Sequence, residues 1–484
     1  MPHFDVVIRG GQVVTDTEII ECDVGIRDGI VAELAPAIEG GDIVLDASGG
    51  VVVPGGIDGH CHIAQLSSFG VETADDFTSG SISAACGGTT TIIPFAPQQK
   101  GESLREAVEA YRQKADGKSV IDYGFNLIVS DPTSTVLETE LPGLVAEGHT
   151  AVKIFMTYDA VRLDDRQVLN VLEAARELGV ITMVHAENHD LIMWSTERLL
   201  KDGDTAPKFH AMAHPPESER EAVYRIIALA EAVGAEIMVL HLSAKEAIEE
   251  VRRAQARGVP VLGETCPQYL VLSDADMDRP GFEGAKFVCS PPPRGAANQE
   301  FVWRGIVDGV IQAFHSDHAG YRFDDREGKK VRGDDAPFNR IPNGVPGLET
   351  RLPILFSEGF HKGRIGLRRF VELSSANPAR IFGLYPKKGT ITVGSDADIA
   401  IWDPTRRVTL SIDALHDNMD YTPYEGMEID GWPVTVLSRG RLVWHEGEAL
   451  GEPGAGRLLR RGEPQTAELR GPAHADDGRT TDNA

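Results

Sequence analysis

Six residues able to hold metal ions recur along this chain in a consistent setting: His60, His62, Lys153, His185, His241 and Asp317. His60 and His62 stand two apart at the end of VVVPGGIDGHCH. In extended chain, residues i and i+2 point to one side, so both imidazoles can reach one metal while Cys61 faces away. Taken alone, such a pair is as readily two polar loop residues. Lys153 lies in TAVKIFM, an otherwise apolar strand. A buried lysine needs a partner, and an ammonium repels a metal. An amine that has reacted with CO2 becomes an anionic carbamate, whose two oxygens can each bind one of two metal ions. The plainer alternative is a lysine that snorkels to solvent or pairs with a carboxylate. His185 ends VITMVH, His241 ends AEIMVLH and Asp317 ends VIQAFHSD. A carboxylate at the last position can hold a metal and also take a proton from bound water. Singly these are weak signals. As a set they point to metal-assisted hydrolysis. His315 and His318 flank Asp317 and read as supporting or structural residues, and His189, His210 and His214 as packing or surface residues on helices and loops.

Such residues can meet only if successive strands end at one place. From 54 to 383, apolar runs of four to eight residues alternate with amphipathic stretches. The runs include GGTTTIIPF, IDYGFNLIVS, TAVKIFM, VITMVH, AEIMVLHLS, VPVLGE and GVIQAFHSD; the stretches include SLREAVEAYRQKA and EREAVYRIIALAEAVG. With VVVPGGIDGH the strands number eight, which predicts an α/β fold, a (β/α)8 TIM barrel. Catalytic groups of such barrels sit at the C-terminal ends of the strands, where all six candidates fall. Residues 1–53 and 384–450 read as short strands punctuated by turns, and are expected to form one small β-sandwich domain from both termini. Residues 451–484 are Gly-, Pro- and Arg-rich, and are expected to be a C-terminal tail, partly disordered or at an oligomer interface.

The 484 residues carry 74 acidic and 47 basic side chains, a net charge of −27. That surface repels phosphate backbones, so no nucleic-acid partner is expected. The five cysteines form no CxxC pair and are odd in number, which fits free thiols in a reducing, cytoplasmic setting. No basic start followed by an apolar stretch precedes the first strand, so no signal peptide is expected. No apolar run reaches the length of a membrane span, so no membrane partner is expected either.

The chain resembles the hydantoinase and dihydropyrimidinase family of metal-dependent amidohydrolases from about residue 5 to 450. The motifs that carry the resemblance include PGGIDGHCH, AVKIFMTY, VHAEN, HLSAKEA, ETCPQYL, CSPPPR, SDH, IPNGVPGLETR and NPARIFGLYPKKGTITVGSDADIAIWDP. It implies a binuclear enzyme that opens the cyclic amide of a dihydropyrimidine or hydantoin-like ring to an N-carbamoyl amino acid. His60, His62, Asp317 and carbamylated Lys153 would hold one divalent metal, usually Zn2+. Lys153, His185 and His241 would hold the other. Asp317 would move the proton, Tyr158 would polarise the ring carbonyl, and Ser290 and Asn343 would hold the ring amide. A homo-oligomer, dimer or tetramer, is implied as well.

Two stretches depart from the family pattern. The run Ile63 to Gly70 lacks the usual acidic residue and is one residue longer, and Ala319-Gly320-Tyr321 replaces residues that are commonly Cys and Phe. Both bear on the pocket for the ring substituent, which keeps other ring-opening activities, allantoinase-like or imidase, in view. A dihydroorotase usually has Arg two residues after the second histidine, where this chain has Ala64. A non-catalytic scaffold related to dihydropyrimidinase would have lost metal ligands, and here all six are present.

Overall fold

The structure, a computed structural model, describes residues 3–469. Eight parallel barrel strands follow one another in chain order: Gly56–Asp58; Thr89–Ile92, continued by Phe95–Pro97; Asp122–Tyr123, continued by Asn126–Ile128; Ala151–Phe155; Ile181–His185; Ile237–Val239; Val261–Thr265; and Ala313–Phe314. The eighth strand closes on the first just past their ends. There the Asp317 N–H donates to His60 O at 2.9 Å and the His62 N–H to His318 O at 2.7 Å. Closure therefore fixes Asp317 beside the two histidines by main-chain bonds alone.

The apolar runs are strands because both faces are covered, one by the barrel interior and the other by helices. Helix Asp165–Leu178 shows how the covering works. It buries Val168, Val171, Leu172 and Ala175, the i, i+3, i+4, i+7 spacing of one helical face. Burial of each of the larger side chains contributes about 1.5–3 kcal/mol. Asp164 caps its start by accepting from the Gln167 N–H at 2.8 Å. Gly179 ends it with φ of 65°, a backbone that a side chain would strain. The chain is thereby turned straight into the strand that ends in His185.

The two terminal segments do meet in one β unit, a sandwich beside the barrel. A four-stranded sheet contains Val6–Arg9, Asp23–Arg27, Ile30–Ala35 and Ile43–Asp46. A seven-stranded sheet joins Gln12–Val14, Ile19–Glu21 and Val51–Pro54 from the start of the chain to Ile399–Thr409, Glu428–Ser438, Arg441–His445 and Glu448–Ala449 from its end. Ile399 pairs with Pro54 and Trp402 with Val51 across the junction. Val6, Ile8, Val13, Val24, Val52, Ile399 and Leu437 share the core between the sheets.

Charge ties this unit to the foot of the barrel. Lys388 is buried, with Nζ 2.8 Å from Asp122 Oδ2, 3.0 Å from Asp396 Oδ2 and 2.5 Å from Asp398 Oδ2. Arg439 reaches Asp122 from the β unit at 3.1 Å. Residues past 450 run along the same end of the barrel. The Arg457 N–H donates to Asp122 Oδ1 at 3.0 Å, and buried Arg461 donates to Asn126 Oδ1 at 2.7 Å. Of the expected tail, residues 470–484 lie outside the described residues.

Replacing Lys388 with Met would leave three buried carboxylates without their shared cation. We expect a loss of about 3–5 kcal/mol of stability, read from guanidinium unfolding of Lys388→Met. A loss below about 1 kcal/mol would show that the cluster does not hold the two units together.

Candidate metal centre

Five of the candidate ligands stand at or just past the C-terminal ends of barrel strands and Lys153 stands midway along Ala151–Phe155, and the structure brings all six to one mouth. Asp317 Oδ1 lies 3.0 Å from His60 Nε2 and 3.6 Å from His62 Nε2. On the other side, His185 Nδ1 and His241 Nε2 face each other at 2.9 Å. The His60 and His241 rings, 5.5 Å apart, join the two halves. Lys153 is 1% exposed, with Nζ 4.6 Å and 4.7 Å from the centroids of Phe95 and Phe155. Its charge bears on all four histidines, lowering the proton affinity of each.

The backbone at this mouth is held in an uncommon conformation. Ala64, Tyr158, His241 and Asp317 have φ of 50°, 71°, 41° and 49°. They are four of the seven non-glycine residues with left-handed backbone among those described. Such positions cost about 1–3 kcal/mol each, and the surrounding fold must impose them. Their effect here is to turn the His241 and Asp317 side chains off the strand ends.

The outer nitrogen of three histidines is already engaged. His60 Nδ1 donates to Glu264 at 2.9 Å, and His62 Nδ1 pairs with Gln65 Oε1 at 2.6 Å. His185 Nε2 donates to Glu187 Oε2 at 2.8 Å. This leaves the inner nitrogens to converge, His60 and His62 on Asp317 and His185 on His241. His60 Nε2 is buried with no aligned hydrogen bond, despite its closeness to Asp317. An anchored outer nitrogen with an unsatisfied inner one, as at His60, is what a metal-binding imidazole needs. Together with Asp317 and Lys153, the donor set fits two divalent cations: His60, His62 and Asp317 for one, His185 and His241 for the other, and Lys153 within electrostatic reach of both.

The electrostatics agree with that arrangement. Burial works against charge on His60, but Glu264 and Asp317 outweigh it and hold its pKa up at about 9. Burial also opposes ionisation of Asp317, yet His60 and His62 keep its carboxyl well below the usual range. Burial pushes the Lys153 ammonium down to about 8, with Asp317 and Glu264 in partial opposition. Roughly a tenth of the amine is therefore neutral at pH 7, the form that addition to CO2 requires.

The substrate-side candidates sit next to this centre. The Tyr158 ring is 5.3 Å from that of His185, and Asn343 Nδ2 donates to the Tyr158 hydroxyl at 3.5 Å. Burial, then the charge of Glu187, raises the Tyr158 pKa, so the phenol keeps its proton and can donate it in a hydrogen bond. Ser290 Oγ lies 3.3 Å from His214 Nδ1, and His214 Nδ1 lies 2.9 Å from Glu187 Oε1. Glu187 thus links the His185 side of the metal centre to Ser290.

Sequence reasoning missed four residues here: Glu264, Glu187, His214 and Gln65. Glu264 and Glu187 carried a readable signal. Glu264 is a carboxylate in the seventh apolar strand, and Glu187 lies two residues past His185. His210 and His214 are indeed on helix and loop, but they are buried inside the site wall, with His210 Nε2 donating to Cys289 O at 2.8 Å. His315 supports the centre as expected, donating to Glu264 at 2.8 Å. His189 lies outside it, 3.3 Å from Asp159. The two departures from the family pattern meet each other. Val71 and Phe69 pack on Ala319 and Tyr321.

Comparison with known proteins agrees with this geometry. The model of the amidohydrolase family matches residues 51–443. The D-hydantoinase of Rhizobium radiobacter is 45% identical over 458 residues, 94% of this chain and 99% of the relative. The D-hydantoinase of Geobacillus stearothermophilus is 47% identical over 460 residues, 94% and 96% of the two chains. The solved dihydropyrimidinase of Brevibacillus agri NCHU1002 superposes with a TM-score of 0.92 at 44% identity, covering 95% of this chain and 99% of that one. The chain belongs to the amidohydrolase family, in its hydantoinase and dihydropyrimidinase branch.

Proposed function

We propose that this chain is a cyclic amidase that opens hydantoin or dihydropyrimidine rings to N-carbamoyl amino acids. The observation that carries the reading is the convergence of His60, His62, His185, His241 and Asp317 around Lys153 at one barrel mouth, in a chain 45% identical to a D-hydantoinase. Two divalent cations, Zn2+ by the imidazole and oxygen character of the donors, would supply an ionisable water and a Lewis acid for the carbonyl. His60, His62 and Asp317 would hold one, His185 and His241 the other, and Lys153, as a carbamate, would serve as a ligand to both.

The remaining steps belong to the chain. Asp317, ionised in this setting, accepts the proton of the attacking water and returns it to the leaving ring nitrogen. The protonated Tyr158 hydroxyl donates to the carbonyl oxygen as negative charge grows on it. Ser290 and Asn343 hold the ring amide in register with these groups. The enzyme divides into a terminal β unit, 1–53 with 384–450, and a catalytic barrel, 54–383. It acts as a cytoplasmic homo-oligomer, a setting that fits five buried, unpaired cysteines. Among the described residues no helix is long and apolar enough to cross a membrane.

A turnover panel of dihydrouracil, hydantoin, 5-substituted hydantoins of both hands, allantoin and cyclic imides tests the reading. Ring opening of dihydrouracil or a hydantoin is expected, with Lys153→Ala losing metal and at least about a thousandfold in kcat. Full metal and full turnover in that variant would refute the bridging role. Glu264→Gln is expected to weaken metal retention by about 10–100-fold, measured by titration with a chelator. Reconstitution of metal-free enzyme with metal and CO2 should slow about tenfold for each pH unit below 8 at fixed dissolved CO2. The reason is that only the neutral Lys153 amine reacts, and its fraction falls as the pH drops below its pKa. A rate independent of pH between 6 and 8 would contradict the carbamate, since roughly a fiftyfold change is expected across that span.

A further inference from the structure

Lys329 is a second fully buried lysine, and the metal centre does not use it. Its Nζ donates to three main-chain carbonyls: Val288 O at 2.9 Å, Pro342 O at 2.7 Å and Gly344 O at 2.7 Å. An ammonium has three N–H donors, so all three are satisfied. The acceptors come from two segments distant in sequence. Val288 lies two residues before Ser290, and Pro342 and Gly344 flank Asn343. One main-chain bond also joins the segments directly, from the Gly344 N–H to Val288 O at 3.0 Å. Gly344 has φ of 147° and no room for a side chain against Ala319, so the second segment is closely seated. The lysine itself is anchored by its own N–H donating to Arg322 O at 2.8 Å.

Neither Ser290 nor Asn343 lies within a strand, so no sheet register sets the distance between them. A three-carbonyl bond from one buried cation supplies such a register. We propose that Lys329 is a positioning residue for ring recognition, clamping the segments of Ser290 and Asn343 at the spacing that lets both reach one ring amide. This inference rests on the ring-binding roles proposed above for those two residues. It follows that loosening the clamp should weaken ring binding while leaving the metals in place, because the metal ligands come from other strands. An error of about 1 Å in the ring's position is enough to cost roughly a hundredfold.

The test uses metal-loaded wild-type enzyme, Lys329→Met and Lys329→Gln, the last keeping part of the donor set. Metal content, kcat and KM for dihydrouracil and hydantoin, and amide hydrogen exchange of peptides spanning 286–291 and 341–346 are measured on each. For Lys329→Met the expected result is full metal, a rise in KM of about tenfold or more that carries most of the loss in kcat/KM, and faster exchange confined to those two peptides. Lys329→Gln should fall between it and wild type, and carries the same measurements should Lys329→Met not fold. Unchanged KM with unchanged exchange overturns the proposal, as does a loss of metal and kcat together with general loosening. A wild-type enzyme inactive on every ring would instead defeat the cyclic-amidase reading. The exchange data would still decide the clamp, since loosening confined to the two segments supports it and undiminished protection overturns it.

Discussion

The site depends first on one buried carboxylate. Glu264, at the end of the seventh strand, accepts from His60 Nδ1 at 2.9 Å, from His315 Nδ1 at 2.8 Å and from the His241 N–H at 2.8 Å. Those donors belong to the first, eighth and sixth strands, so a single side chain fixes three neighbours around the closing seam of the barrel. Burial alone would make this carboxyl hold its proton, but His60 and His315 outweigh burial and drive it well below the usual range. Its charge then sets the tautomer of His60 and keeps the inner nitrogen aimed at Asp317. Positive backbone angles at His241 and Asp317 can persist because these bonds, and barrel closure, leave no other arrangement.

How much of this could be read from sequence follows from what each residue type needs. Five of the metal-ligand candidates were legible because each is polar at the end of an apolar strand and a barrel maps strand ends onto one mouth, and Lys153 because it is a lysine inside an apolar strand. The β sandwich was legible from turn punctuation at both ends, although its register, Ile399 opposite Pro54, depends on a contact across most of the chain. Glu264 and Glu187 were legible in principle by the same strand-end rule, but an acid offers no hint that it will hold an imidazole instead of a metal. His214 was not legible. It sits after the short helix Phe209–Ala213, and only tertiary folding carries it to Glu187 and Ser290.

The two departures from the family pattern are a case where sequence alone suggested unrelated changes. Folded, they form one feature. Ile63 to Gly70 turns back on itself, with the Ser67 N–H donating to Val71 O at 2.7 Å, and the turn rests on Tyr321. The same run supplies Gln65, whose amide oxygen faces His62 Nδ1 while its amide nitrogen donates to Phe95 O. Length and composition changed in the loop, yet the loop still orients a metal-side histidine. Leu66 at its edge is 63% exposed, so the variable part faces outward and the constrained part inward.

Three buried lysines in this chain show why residue type underdetermines role. Lys388 has burial against it, but Asp398, Asp122 and Asp396 outweigh that and hold it charged. Burial pushes the Lys329 ammonium down to about 7, so what sets it apart is geometry, its Nζ being held against three main-chain carbonyls. Lys153 instead lies against two aromatic faces, and burial pushes its ammonium down to about 8. Addition to CO2 requires a neutral amine with a free lone pair, and of the three only Lys153 is placed to offer one. Burial opposes an anion there as it opposes an ammonium, so a carbamate would depend on the positive charge of the cations that the donor set fits. On the proposed reading, a carbamate on Lys153 would be held there by the two cations themselves, against burial and the charges of Asp317 and Glu264, and neither Lys329 nor Lys388 could adopt that state without breaking the bonds that hold them.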